Sequence, residues 1–169
     1  MTANAVRLNH AVLFVSDVTR SLDFYQQAFG MDVVAQEPRA NAAFLRLPRS
    51  GNHHDLGLFG VGPQPPRPRG SLGLYHLAWQ VDTIDELVEA RTTLLRLGAL
   101  TGESSHGATK SLYGQDPDGN EFEVMWMLPR ASWGEFEHAA PVERLDLAAE
   151  VTRWSGVRTA AELVPQDAR

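Results

Sequence analysis

Cysteine is absent from this chain. That excludes disulfides, thiolate metal sites and cysteine nucleophiles together, so any bound metal must rest on His, Asp or Glu. Basic charge is scarce as well: 15 Lys and Arg stand against 21 Asp and Glu, a net charge of −6, which gives no support to binding a phosphate backbone. The short basic run Arg67-Pro68-Arg69 reads as a solvated linker. Long apolar runs are missing too. None approaches the roughly 18 residues of a membrane span, and no basic segment followed by an apolar stretch marks a secretion signal. Neither nucleic acid nor a membrane is expected as a partner, and the expected location is cytoplasmic. What is present, 169 residues of which 43% are hydrophobic and 21% charged, suffices for one core and is short for two unrelated domains.

Sliding the second half of the sequence over the first exposes an internal duplication. Leu8-Asn9-His10-Ala11-Val12-Leu13-Phe14-Val15 reads as a strand, Ser16-Asp17 as a helix N-cap, and Val18 to Phe29 as a helix closing at Gly30. Leu74-Tyr75-His76-Leu77-Ala78-Trp79-Gln80-Val81 is again strand-like, Thr83 and Glu86 form a capping-box pair, and Ile84 to Leu97 reads as a helix with Gly98 past its end. Three apolar, strand-length segments follow each helix: 33–36, 42–47 and 55–61, then 100–103, 109–113 and 121–127. The expectation is an α+β fold of two βαβββ modules, residues 6–62 and 72–128, forming a cupped mixed sheet within one domain, 1–128. Pro63 to Gly70, with four prolines, cannot pair in a sheet and reads as the connector. Residues 129–169 read as a helical extension, with short amphipathic helices over 142–154 and 159–164. That tail is a lid, a dimer contact or a solvent-facing appendage; the sequence leaves all three open.

The chemistry is carried by arrangement. A single His on a strand is more often a satisfied core or rim residue than a ligand. His10 and His76, however, begin equivalent strands of a duplicated fold, and a pseudo-twofold axis would bring them face to face, where a metal ion supplies a shared partner. Glu123 is the leading candidate for the third ligand. It follows the tight turn Asp116-Pro117-Asp118-Gly119 and alternates with Phe122 and Val124, whose faces are free to bury. A carboxylate on an otherwise apolar strand needs a reason. Glu121 shares its parity and competes with it, and the plain alternative is that both face solvent. Two His and one carboxylate match the facial triad of non-haem iron(II) oxygenases, which leaves metal positions open. The matching strand of module one offers Leu56, Gly57, Leu58 and Phe59, none able to ligate, with Asp55 the one carboxylate near enough to close the site.

The run from His106 through Tyr113, Asp116-Pro117-Asp118-Gly119 and Glu123 resembles the signature of type I extradiol dioxygenases in the vicinal oxygen chelate superfamily, and Asn52-His53-His54-Asp55-Leu56 resembles the double histidine that these enzymes place before the linker. Ser104, two residues before His106, departs from the residue type usual there. The resemblance covers residues 7–128. It implies iron(II) held by His10, His76 and Glu123, with manganese, nickel or zinc as alternatives, and a small aromatic diol and dioxygen as substrates. It further implies that His54 takes a proton as the diol binds and returns it later, and that His106 and Tyr113 hydrogen-bond the substrate oxygens. His53 is left as a structural residue, with a polar strand entrance as the plain alternative for the pair. Ordinary burial is the alternative for Tyr113. His138 lies outside the match and receives no role.

Two rivals follow from the same resemblance. A glyoxalase-like isomerase or a thiol transferase shares the fold and the strand-borne ligands, and fold alone does not choose between them. The isomerases usually add a fourth protein ligand, and the transferases would be expected to carry basic residues for an anionic substrate. A non-catalytic protein that sequesters a small molecule would keep the cup and dispense with the metal. Trp79, Met125, Trp126 and Phe59 are candidates for an aromatic-sized pocket or for plain core. A homodimer is expected, since related folds pair their modules.

Overall fold

The computed structural model describes residues 2–65, 67, 68 and 70–160, which fall into two compact units, 2–65 and 67–160. Each unit carries one βαβββ module, so the duplicated plan is present. In the first, strand β1 (Ala11–Val15) leads to helix α1 (Val18–Phe29) and then to β2 (Asp32–Glu37), β3 (Ala42–Arg46) and β4 (Leu56–Gly60). In the second, β5 (His76–Gln80) leads to α2 (Ile84–Arg96), β6 (Leu100–Ser105), β7 (Thr109–Gln115) and β8 (Glu121–Met127). Both sheets have the same order, β1-β4-β3-β2 and β5-β8-β7-β6, and in each the first strand pairs in parallel with the last.

Local chemistry sets the helix boundaries. Asp17 accepts a hydrogen bond from the Arg20 amide to start α1, and Gly30, at a φ of 63°, ends it by donating to the Gln26 carbonyl. Thr83 caps α2 through the Glu86 amide. The Glu86 carboxylate reaches back to the Asp82 amide, one residue before the position a capping box uses.

Alternation along the strands then buries one face of each sheet against its helix. In unit one Leu13, Val15, Ala43, Leu45, Leu56 and Leu58 are buried, with Leu22, Phe24 and Tyr25 buried on α1. In unit two Leu112, Phe122, Val124 and Trp126 are buried, as are Ile84, Leu87 and Leu94 of α2. The opposite face carries Val12, Phe14, Phe44 and Phe59 in unit one, and Glu121, Glu123 and Met125 in unit two.

Two expectations are modified, and a third falls largely outside the described residues. Strand β1 starts at Ala11 rather than Leu8, so His10 lies just before it: the ladder to β4 opens with Ala11, and the Asn52 amide group bonds the Asn9 carbonyl instead. Among the described residues the tail forms one α-helix, α3 (Leu147–Trp154), capped by Asp146; it is shorter than the expected 142–154 because Glu143 pairs with Ser105 as an isolated β-bridge. The second expected tail helix, 159–164, lies outside the described residues from 161 onward, while Thr159 and Ala160 donate their amides to buried Asp82.

The tail packs on unit two. The Trp154 ring lies 6.1 Å from that of Trp126, and Asp85 accepts from the Ser155 hydroxyl and the Gly156 amide, which hold its carboxyl below the usual carboxylate range. In the connector, Arg67 donates to the carbonyls of Ser71, Leu72 and Leu74 and so folds the loop on itself. No helix among the described residues is long and apolar enough to cross a membrane.

Replacing Leu112, fully buried between sheet and helix, by Ala is expected to lower unfolding free energy by about 2–5 kcal/mol in urea denaturation. Leu95→Ala, on the exposed side of α2, is expected to change it by about 0.5 kcal/mol or less.

Candidate metal centre

Strand β8 is aimed by the turn before it. Asp116 accepts from the amides of Asp118 and Asn120 and from the Asn120 side chain, while Gly119 takes a φ of 80° and donates to the Asp116 carbonyl. The strand then alternates strictly, with Phe122, Val124 and Trp126 buried and Glu121, Glu123, Met125 and Met127 half-buried on the other face. Parallel pairing sets His76 opposite Glu121 and Ala78 opposite Glu123. The His76 ring consequently stands between two carboxylates: Nε2 is 3.3 Å from Glu123 Oε2, and Nδ1 is 3.9 Å from Glu121 Oε1. Glu121 and Glu123 thus address different nitrogens of one imidazole. The Glu123 side chain is only 12% exposed, and His76 Nδ1 is buried with no hydrogen-bond partner.

Such a donor set fits a divalent ion. An ion at Nε2 and the Glu123 carboxylate would balance a half-buried negative charge, and a small rotation would let Nδ1–H reach Glu121, the outer carboxylate partner that metal-bound imidazoles commonly have.

Next along the same face is Tyr113, which pairs with Glu123 across β7 and β8 and sets its ring 5.9 Å from that of His76. The Tyr113 hydroxyl lies 2.7 Å from His106 Nε2, and the Ser104 hydroxyl lies 2.9 Å from the same nitrogen. His106 Nδ1 is 2.8 Å from the carbonyl oxygen of Pro141, in the tail. A carbonyl only accepts, so Nδ1 carries a proton and donates.

In unit one His10 is exposed and its Nδ1 donates to Asn9 Oδ1 at 2.9 Å, which leaves the lone pair of the neutral ring on Nε2. The His10 ring lies 4.5 Å from that of His54, which also meets Phe44 at 5.1 Å and His53 at 5.4 Å. Burial, first, and then the neighbouring His10 and His53 hold the His54 pKa below the usual histidine value, against an opposing pull from Asp55. A ring kept neutral in this way is able to accept a proton.

Asp55 is committed elsewhere: its carboxylate accepts from the Leu47 amide, the Ser50 hydroxyl and the Asn52 side chain. The pairing registers make the module equivalences explicit. Ala78, two residues after His76, pairs with Glu123; Val12, two residues after His10, pairs with Gly57. Module one therefore has a glycine where module two has Glu123.

The structure brings His76 to Glu123, Tyr113 and His106 in one unit, and His10 to His54 in the other. Among the described residues no three His, Asp or Glu side chains converge on one point. Of the four pocket candidates, Met125 shares the Glu123 face and Phe59 shares the face of Gly57 and Phe44. Trp126 is fully buried on the opposite face, and Trp79, paired with Val124, shares that face; both belong to the helix side. Sequence reasoning gave Ser104 no role, although alternation from Ser104 to His106 places it toward the same nitrogen. For Pro141, 35 residues from His106, no local signal exists.

Residues 7–124 match the family model described as the Glyoxalase/Bleomycin resistance protein/Dioxygenase superfamily. Biphenyl-2,3-diol 1,2-dioxygenase 3 of Rhodococcus globerulus is 33% identical over 121 residues, 70% of this chain and 62% of that protein. The chain thus spans less than two thirds of that relative's length. Lactoylglutathione lyase of Neisseria meningitidis serogroup A is 30% identical over 127 residues, 71% of this chain and 90% of the lyase. Among solved structures, a glyoxylase/bleomycin resistance protein/dioxygenase domain from Frankia, 20% identical, superimposes with a TM-score of 0.63 over 73% of this chain and 93% of that one. That likeness extends to the fold.

Asp55→Ala leaves three donors without their acceptor. It is expected to lower stability by about 1–3 kcal/mol in chemical denaturation, with metal stoichiometry unchanged, as a loop-organising residue requires and a ligand does not.

Proposed function

This chain belongs to the glyoxalase/bleomycin resistance protein/dioxygenase superfamily, and from that premise we propose that it is an extradiol ring-cleaving dioxygenase acting on a small aromatic diol, with iron(II) held by His10, His76 and Glu123. One observation carries the reading: the continuous line His76, Glu123, Tyr113, His106 on one sheet face, in which a carboxylate–imidazole pair adjoins a hydroxyl already hydrogen-bonded to a second imidazole. The dioxygenase relatives support it, and so does the chemistry of the His54 ring.

In this reading the bound ion supplies a Lewis-acidic anchor for diol and dioxygen in the positions the protein leaves open. The residues supply the rest. His54 accepts the proton that a diol hydroxyl gives up on binding, work suited to an imidazole whose pKa is depressed by burial and by neighbouring histidines. The proton then sits on the His54 ring, beside His10 and Phe44, until a substrate oxygen takes it back. Tyr113, whose proton is held by His106 Nε2, turns its oxygen lone pairs toward the site, where they accept a hydrogen bond from a substrate hydroxyl. Met125, on the Glu123 face of unit two, offers apolar surface to a flat ring.

The lyase relative, of which the chain covers nine tenths, favours a second reading as a glyoxalase-like isomerase. Against it stand Gly57, in register with Glu123 and unable to ligate, and Asp55, already committed to three donors. Neither of these two positions offers a fourth protein ligand.

Anaerobic loading with iron(II), followed by a panel of catechols in air, tests the proposal. A coloured ring-opened product is expected from the unaltered protein and not from His54→Ala or Glu123→Ala. Metal stoichiometry is expected to fall with His10→Ala, His76→Ala or Glu123→Ala and to survive His54→Ala. Glu121→Gln, which removes an outer partner of His76, is expected to weaken metal binding by about 10–100-fold. Inert catechols combined with tight nickel or zinc binding would favour the isomerase.

A further inference from the structure

The tail has no part in the chemistry above, yet it contacts the one imidazole whose protonation form decides what Tyr113 can do. We infer that residues 129–160 act as a brace: the Pro141 carbonyl holds His106 in the tautomer protonated at Nδ1, so that Nε2 stays a hydrogen-bond acceptor for Tyr113. The inference rests on the proposed reaction only for its consequence at the site; the brace itself is argued from geometry.

Which nitrogen of a neutral imidazole carries the proton is set by the partner of the other. Here Nδ1 faces a carbonyl at 2.8 Å, and Nε2 faces two hydroxyls, Tyr113 at 2.7 Å and Ser104 at 2.9 Å. With Nδ1–H given to Pro141, the Nε2 lone pair receives the Tyr113 proton, and the phenol oxygen turns its own lone pairs outward. If the proton sat instead on Nε2, Nδ1 would face a carbonyl with no proton to give, and Tyr113 would lose its acceptor.

Three features hold Pro141 in place. Glu143 and Ser105 exchange two backbone hydrogen bonds, at 2.9 and 3.0 Å, directly beside His106. The Phe136 ring covers Gly107 so closely that a Cβ there would come within 2.3 Å of it, and Gly107 takes a φ of 74°. Any other residue at 107 would thus be strained and would displace the tail. Buried Lys110 completes the clamp, donating to the Ser105 hydroxyl and the Gly107 carbonyl while pairing with Glu150 of α3 at 3.0 Å. The turn carrying His106 is gripped from both sides by the tail.

The tautomer is readable without metal or substrate. In metal-free protein carrying 15N-labelled histidine, the His106 resonances, identified by their loss in His106→Asn, are expected to show a protonated Nδ1 and a bare, hydrogen-bonded Nε2. Glu143→Pro deletes the amide that bonds Ser105 and is expected to shift the ring toward a mixture of tautomers. It should also lower kcat on any active catechol about tenfold while leaving KM within about twofold. Glu143→Ala keeps that amide and should look native. If Glu143→Pro does not fold, Phe136→Ala is read the same way.

A native tautomer in the braceless variants, or a proton on Nε2 in the unaltered chain, overturns the inference. Inert catechols sink the dioxygenase reading and leave this result standing.

Discussion

The parallel pairing of the first and last strands of module two is the constraint on which the site depends. With His76 opposite Glu121 and Ala78 opposite Glu123, a shift of one residue would turn both carboxylates into the helix-facing core and bring Phe122 and Val124 to the His76 side. The register is held from outside the site. The Asp116 turn fixes the start of β8, and Phe122, Val124 and Trp126 bury on the helix side, where Trp126 also meets Trp154 of α3. Apolar burial therefore delivers two charged groups to an imidazole, at a cost that a divalent ion would offset.

The same scaffold in module one is put to a different use. Its β1–β4 register matches, but Gly57 stands where Glu123 would be, and Asp55 is spent on a loop amide, a serine hydroxyl and an asparagine side chain. What remains on that face is His10 with its Nε2 lone pair, the His54 ring beside it, and Phe44 and Phe59. The duplication is thus symmetric in backbone and asymmetric in chemistry. One module concentrates carboxylates and a tyrosine–histidine pair, while the other carries imidazoles and aromatic surface.

Much of this was legible in the sequence because it depends on local rules. Period-two alternation from Glu121 to Met127, the Asp17 and Thr83 caps, Gly30 and Gly98, and the Asp116 turn each act over a few residues, and the elements follow them closely. The ranking of Glu123 over Glu121 was not local, since it depends on which imidazole nitrogen each carboxylate meets across the sheet. The face of Trp126 was open to parity with Phe122 and Val124. The shortened α3 and the Pro141 contact were out of reach, because they come from pairing between Ser105 and Glu143, 38 positions apart. The roles of His54, His106 and Tyr113 came from resemblance, to which the geometry adds neighbours and distances.

The most direct test of the central claim is a crystal structure of the iron(II)-loaded protein with anomalous scattering recorded at the iron edge. The account predicts one strong peak per chain, ligated by His10 Nε2, His76 Nε2 and a Glu123 oxygen, with the remaining positions taken only by solvent. A peak that lacks any of these three, or one closed by a fourth protein atom, would contradict it.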